Sequence, residues 1–87
     1  MAQSKEALTQ AILDDIRLEL VRQNTKFGYP QKHSLPSWGC ILGGEVGETH
    51  KAIIEDEDTL ALRRELTQVA AVCVNMIIHL EEYNIGT

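Results

Sequence analysis

The sequence predicts an all-α fold, an N-terminal helix followed by a helical hairpin, completed as a helical bundle by oligomerisation. Three observations predict it. Apolar residues recur at spacings of three and four along most of the chain, the period of a helix with one buried face. Strict alternation, the mark of a half-buried strand, is absent. The stretch from Val69 to Ile78 is apolar nearly all round, so it needs cover on several sides. Three helices of this length cannot enclose it, which is why a second subunit is expected.

The first helix spans about Ser4 to Asn24. Leu8, Ile12, Ile16 and Leu20 form its apolar line, with Ala11, Leu13 and Val21 beside them. Ser4 suits the N-cap, where a hydroxyl accepts from an amide of the first turn. "TKFGYPQKHSLP" follows, and Gly28, Pro30 and Pro36 break regular structure there. A connection of about ten residues is longer than packed helices usually need. It holds Phe27, Tyr29 and His33, with Trp38 just beyond; these rings either serve a ligand or cover one end of the core. The second helix begins at Pro36 or Ser37, since proline suits a first turn, and runs to Glu55. The acidic run Glu55 to Asp58 makes the turn, with Asp58 capping the third helix from Thr59 to Glu82.

With 87 residues, the chain is one domain, residues 1–87. A core of this size supplies only about 3–5 kcal/mol, so a metal or a second copy is a common supplement. Cys40 and Cys73 read as small buried apolar residues rather than a disulfide. No segment approaches the roughly 20 apolar residues of a membrane span, and a cytoplasmic protein without a membrane partner is expected. The net charge of −5, with scattered basic residues, argues against a nucleic-acid polymer, which calls for a basic stripe. It leaves room for a nucleotide, because a divalent cation bridges acidic protein to phosphate.

Within "ILGGEVGETHKA", Glu45 and Glu48 stand three apart on one helix surface between apolar neighbours. Carboxylates so placed repel, and burial raises the cost to several kcal/mol per uncompensated ion, on the order of a small domain's whole stability. A cation is the usual remedy. Glu65 and Gln68 form a second pair at the same spacing. Counted outward from the turn at about 1.5 Å of rise per residue, Glu48 falls level with Glu65 and Glu45 with Gln68. All four offer hard oxygen donors, the set for magnesium or manganese.

The same register sets Trp38 and Asn75 level, about two turns from the carboxylates. A metal site with a ring and an amide nearby suits a nucleotide, the phosphates on the metal and the base against the ring. Trp38 is otherwise a core residue, and Asn75 an amide bonded across a subunit interface. Lys51 and Lys26 are candidates to balance phosphate charge; the competing reading for each, and the favoured one for Lys26, is a solvated lysine. Arg63 and Arg64 read as surface residues, and His50 and His79 as bystanders.

These residues stand in stretches that resemble a known family: "RQNTKFGYPQKH", "SWGCILGGEVGETHKAI" and "LRRELTQVAAV". The chain resembles the MazG-like branch of the all-alpha nucleoside triphosphate pyrophosphatases over most of its length. The resemblance implies a homodimer or homotetramer that uses magnesium to hydrolyse (deoxy)nucleoside triphosphates to monophosphate and pyrophosphate, clearing unwanted nucleotides. It implies Glu45, Glu48 and Glu65 as metal carboxylates. It further implies Gln23, Lys26, Phe27 and Trp38 as a nucleotide-contacting segment, the first three in the loop. The family's fourth ligand is an aspartate, where this chain has Gln68, an oxygen donor without charge. Gly44 stands where a further glutamate is expected. Two other classes compete: a non-catalytic helical interaction module with a decayed metal site, and a di-iron protein, whose Glu-x-x-His pairs are missing.

Overall fold

The computed structural model describes residues 4–28, 32–55 and 58–85. They form three helices, α1 (Lys5–Phe27), α2 (Leu35–Ile54) and α3 (Thr59–Ile85), with no strand among the described residues.

Side-chain caps open all three helices. Ser4 Oγ accepts from the Ala7 amide at 3.1 Å, Ser34 Oγ from the Ser37 amide at 3.3 Å, and Asp58 Oδ1 from the Ala61 amide at 2.7 Å. Ser4 and Asp58 are the expected caps. Ser34 moves the start of α2 to Leu35, with Pro36 in its first turn.

α1 runs to Phe27 rather than ending near Asn24. Thr25 and Lys26 are compatible with a helix, and the first residue able to stop it is Gly28, at φ 89°. The Gly28 amide donates to the Asn24 carbonyl at 2.9 Å. Lys26 and Phe27 therefore sit on the last turn of α1, not in a loop. The connection shrinks to residues 28–34, inside the range of about 2–8 residues usual between packed helices. The expectation for Tyr29 lies outside the described residues, as does that for Asp56 and Glu57. α3 passes Glu82 to reach Ile85, because the next helix-breaking residue in the sequence is Gly86.

α3 is the middle helix. It packs against both α1 and α2, while the described backbones of α1 and α2 do not approach each other. Ala71 has no exposed surface, and Val72 and Asn75 are buried beside it. α2 contributes Trp38, Thr49 and Ala52 to the same core. The short turn makes α2 antiparallel to α3. α1 runs parallel to α3: Asp15 meets Arg63 and Gln23 meets Asn75, so the paired numbers rise together. α1 buries only Gln23 completely. Its apolar line is half covered, with Leu8, Ile12 and Leu13 exposed.

The single chain is larger than its mass requires. Its accessible surface is 6525 Å² for 9.7 kDa, against roughly 5,100 Å² for a compact monomer of that mass. Its radius of gyration is 14.7 Å, against about 12 Å for a compact chain of this length. Cys40 is exposed and Cys73 half-buried. The reading of Cys40 as buried fails because it lies two residues from Trp38, about 200° round the helix from the face that meets α3.

α2 carries several glycines inside a helix, each costing about 1 kcal/mol relative to alanine. A Cβ added at Gly44 or Gly47 meets no atom within 4 Å, so nothing in the fold requires glycine at the anomalous position 44. Gly47 lies on the side of α2 opposite Trp38. Gly47→Ala is expected to raise the melting temperature by about 4–8 °C, the equivalent of ~1 kcal/mol in a domain this small. A thermal melt followed by circular dichroism checks it; an unchanged or lower midpoint contradicts a free back face.

Candidate functional site

The two flanking helices stand apart over α3, and the space between them is a cleft of about 310 Å³, within the size range of small-molecule sites. One wall is the end of α1, with Arg22, Gln23, Lys26 and Phe27. The other is the face of α2 carrying Trp38, Ile41 and Glu45. Gln68 and Val72 of α3 form the floor, and His33 closes the end near the connection.

Glu45, Glu65 and Gln68 meet at the acidic end, whereas the register from the turn sets Glu48 level with Glu65 and brings all four together. The Gln68 amide has two orientations with different chemistry. In one, its oxygen faces the carboxylates of Glu45 and Glu65. In the other, its nitrogen lies 3.2 Å from Oε2 of each and donates to both. The first gathers three oxygens with nothing positive between them; the second lets the amide N–H groups take the place of a cation. Glu48 is exposed on the flank of α2, and its charge still acts on Glu45. Among the described residues, no three His, Cys, Asp or Glu side chains gather tightly enough to hold an ion by themselves. The donor set nonetheless fits magnesium, which keeps several waters and takes only one or two protein carboxylates beside substrate phosphates. Glu45, Glu65 and the Gln68 carbonyl are the groups that would hold it.

Burial raises the Glu45 pKa above its ordinary 4.5, and the charges of Glu65, Glu19 and Glu48 raise it further; Arg22 pulls the other way. Glu19 of α1 thus belongs to the acidic cluster. It accepts from Arg22 Nε at 2.8 Å and Nη2 at 2.6 Å, and from Gln23 Nε2 at 3.0 Å. Arg22 lowers the Glu19 pKa most, against an opposing effect of burial, and Gln23 lowers it further. Neither Glu19 nor Arg22 stood out in the sequence. The available signal was the spacing in "ELVRQ", which sets Glu19 beside Arg22 and Gln23 on a helix. Without knowing which side of α1 meets the hairpin, that spacing reads as an ordinary surface pair.

At the other end Trp38 takes the core role, one of the two expected of it. Its side chain is 2% exposed, with His33 edge-on at 4.7 Å and His79 tilted at 6.3 Å. It has no free face on which a base could stack, and core packing is its first role. His79 is a neighbour of that ring. Trp38 Nε1 is buried with no acceptor among the described residues. The accessible ring of the cleft is Phe27, 61% exposed, with Lys26 Nζ 5.2 Å from its centroid.

Asn75 is buried, but its amide bonds within the chain: Nδ2 donates to Gln23 Oε1 at 3.3 Å. It does not line the cleft and acts through Gln23, which does. Lys51 lies about 120° round α2 from Glu45, away from the cleft. Arg63 pairs with Asp15 at 2.7 Å with both side chains half in solvent, a surface contact as expected.

No protein-family model, curated protein or solved structure matches the chain.

The two shifted acids give opposite pH signatures. Glu45 is raised, so it destabilises the fold at neutral pH, and that penalty disappears as pH falls through its folded pKa and below 4.5. Glu19 is lowered, so its contribution is present above 4.5 and is lost as pH falls through its folded pKa. In EDTA at pH 7, Glu45→Gln is expected to melt higher than the parent chain and Glu19→Gln lower. The Glu45 difference closes first as the buffer is acidified, and the Glu19 difference closes only below 4.5. Thermal melts across a pH series read both; equal midpoints at pH 7 contradict the electrostatics described.

Proposed function

We propose that the cleft binds a nucleoside or deoxynucleoside triphosphate with magnesium (manganese substituting), and that the protein hydrolyses it to monophosphate and pyrophosphate. This is a nucleotide house-cleaning activity of the cytoplasm, in keeping with the resemblance of the sequence to MazG-like pyrophosphatases. The observation that carries the reading is the meeting of Glu45, Glu65 and Gln68 from two helices at one end of a cleft. The opposite end of that cleft offers the exposed ring of Phe27.

Bound magnesium would neutralise phosphate charge and lower the pKa of a coordinated water. The protein's own share is placement. Glu45 and Glu65 hold the cation side of the cleft, with the Gln68 carbonyl turned toward them. Glu48 is the acid of the set with no tie to Gln68, and in this proposal it accepts the proton of the attacking water. At the far end Phe27 presents a ring face to the base. Gln23 keeps one N–H and one lone pair beyond its bonds to Glu19 and Asn75. Lys26 supplies a positive charge at the same wall.

The working unit in this proposal is a homodimer or homotetramer. The chain's surface exceeds that of a compact monomer by more than the roughly 800 Å² each partner gives to a standard interface. Val46, Ile53 and Leu66 lie exposed around a shallow apolar depression on the outer side of the α2–α3 hairpin.

Two measurements test the proposal. Incubation with a panel of nucleoside triphosphates is expected to release pyrophosphate only with magnesium or manganese. Glu48→Gln should lower the rate by at least ~100-fold, the range for loss of a general base. No pyrophosphate from any triphosphate in either metal overturns the enzyme reading and leaves a helical interaction module. Light scattering behind gel filtration should give a dimer or tetramer mass, with Leu66→Asp shifting it toward monomer; a monomeric parent chain sinks the assembly.

A further inference from the structure

We propose that Arg22 is the phosphate-binding residue of the cleft, held in its bonding plane by Glu19 and, behind Glu19, by Gln23 and Asn75. The inference rests on reading the cleft as a nucleotide site and adds to it a residue and a bracing chain.

The chain of bonds is continuous. Asn75 Nδ2 of the central helix donates to Gln23 Oε1 at 3.3 Å, and Gln23 Nε2 donates to Glu19 Oε2 at 3.0 Å. Glu19 then grips the guanidinium through Nε at 2.8 Å and Nη2 at 2.6 Å. Exposure changes along it. Asn75 and Gln23 are 5% and 6% exposed, the Glu19 side chain 13% and the Arg22 side chain 52%. The rigid end is therefore in the core and the open end is at the cleft.

A guanidinium has five N–H donors in one plane. The bidentate grip on Glu19 uses two of them. Three remain, and their plane is fixed by a carboxylate that is itself held. That arrangement suits a phosphate oxygen pair, which arginine binds in the same forked way.

Position supports the same assignment. Arg22 lines the cleft, and its charge reaches Glu45. It stands at the acidic end, where the phosphates of a metal-bound nucleotide lie. Lys26 stands over Phe27, toward the base. A helix pair three residues apart on an open surface contributes little by itself, and such a pair needs no buried amides behind it. The two buried amides are accounted for if the orientation of Arg22 matters.

The probe is magnesium pyrophosphate, titrated by calorimetry into the full chain, together with the triphosphate the parent chain hydrolyses fastest. Arg22→Gln is expected to weaken pyrophosphate binding at least about tenfold, the scale of a lost charge-assisted hydrogen bond. Arg22→Lys should recover only part of the loss, because an ammonium cannot keep the fork. Glu19→Gln should weaken binding about threefold or more with Arg22 present and have no further effect in the Arg22→Gln background, since Glu19 acts through Arg22. With the triphosphate, Arg22→Gln should raise KM. Circular dichroism melts identify variants that fail to fold, and for those the Arg22→Lys result decides. Arg22→Gln binding pyrophosphate as tightly as the parent overturns the assignment. So does Glu19→Gln tightening binding, or weakening it equally in both backgrounds. A parent chain that binds neither probe removes the nucleotide reading as well; a parent that binds both while Arg22→Gln matches it removes this inference alone.

Discussion

The structure depends on one packing constraint: a single helix, α3, serves as floor for two others whose described backbones do not approach each other. Ala71 permits it, since a larger side chain at a position with no exposed surface would push a flanking helix away. With α1 and α2 both seated on α3, a gap opens between them. That gap is the cleft, lined by side chains of all three helices and closed at one end by His33.

The same constraint creates the electrostatic problem that gives the cleft its character. Three helices bring Glu19, Glu45 and Glu65 toward one end, and burial leaves Glu45 resisting ionisation. The chain answers in two ways. Arg22 and Gln23 neutralise and satisfy Glu19, and Gln68 is able to donate to both Glu45 and Glu65. An aspartate at position 68 would instead add a further negative charge and make the cluster depend on a cation. With glutamine there, one amide nitrogen bridges the two carboxylates by hydrogen bonds.

The polar core is unusual for so small a chain. Gln23, Thr49 and Asn75 are all buried. Thr49 returns its hydroxyl to the Glu45 carbonyl at 2.9 Å, which uses the group locally. The Gln23–Asn75 contact is different, because it ties α1 to α3 by a bond that only one register satisfies. A buried amide pair of this kind costs desolvation and returns specificity, here the alignment that sets Glu19 and Arg22 against the cleft.

Periodicity along the chain was enough to settle the three helices, the hairpin and two of the caps, because these depend on neighbours three and four residues away. It was enough to set Glu45 level with Gln68 and Glu48 with Glu65, since a short turn leaves two antiparallel helices one register; that Glu45, and not Glu48, shares the Gln68 amide with Glu65 came from the tertiary structure. Where α1 would sit was not legible: its apolar residues are spread over too much of its surface to mark one face. Its side of the cleft, with Glu19 and Arg22, therefore came only from the tertiary structure. So did the fate of Trp38. Its helix position was readable, but whether a ring faces ligand or core is decided by what packs over it: His33 folds back from the connection just before α2, and His79 arrives from the far end of α3. Local spacing fixes which residues share a helix face; only the packing of all three helices decides what each face meets.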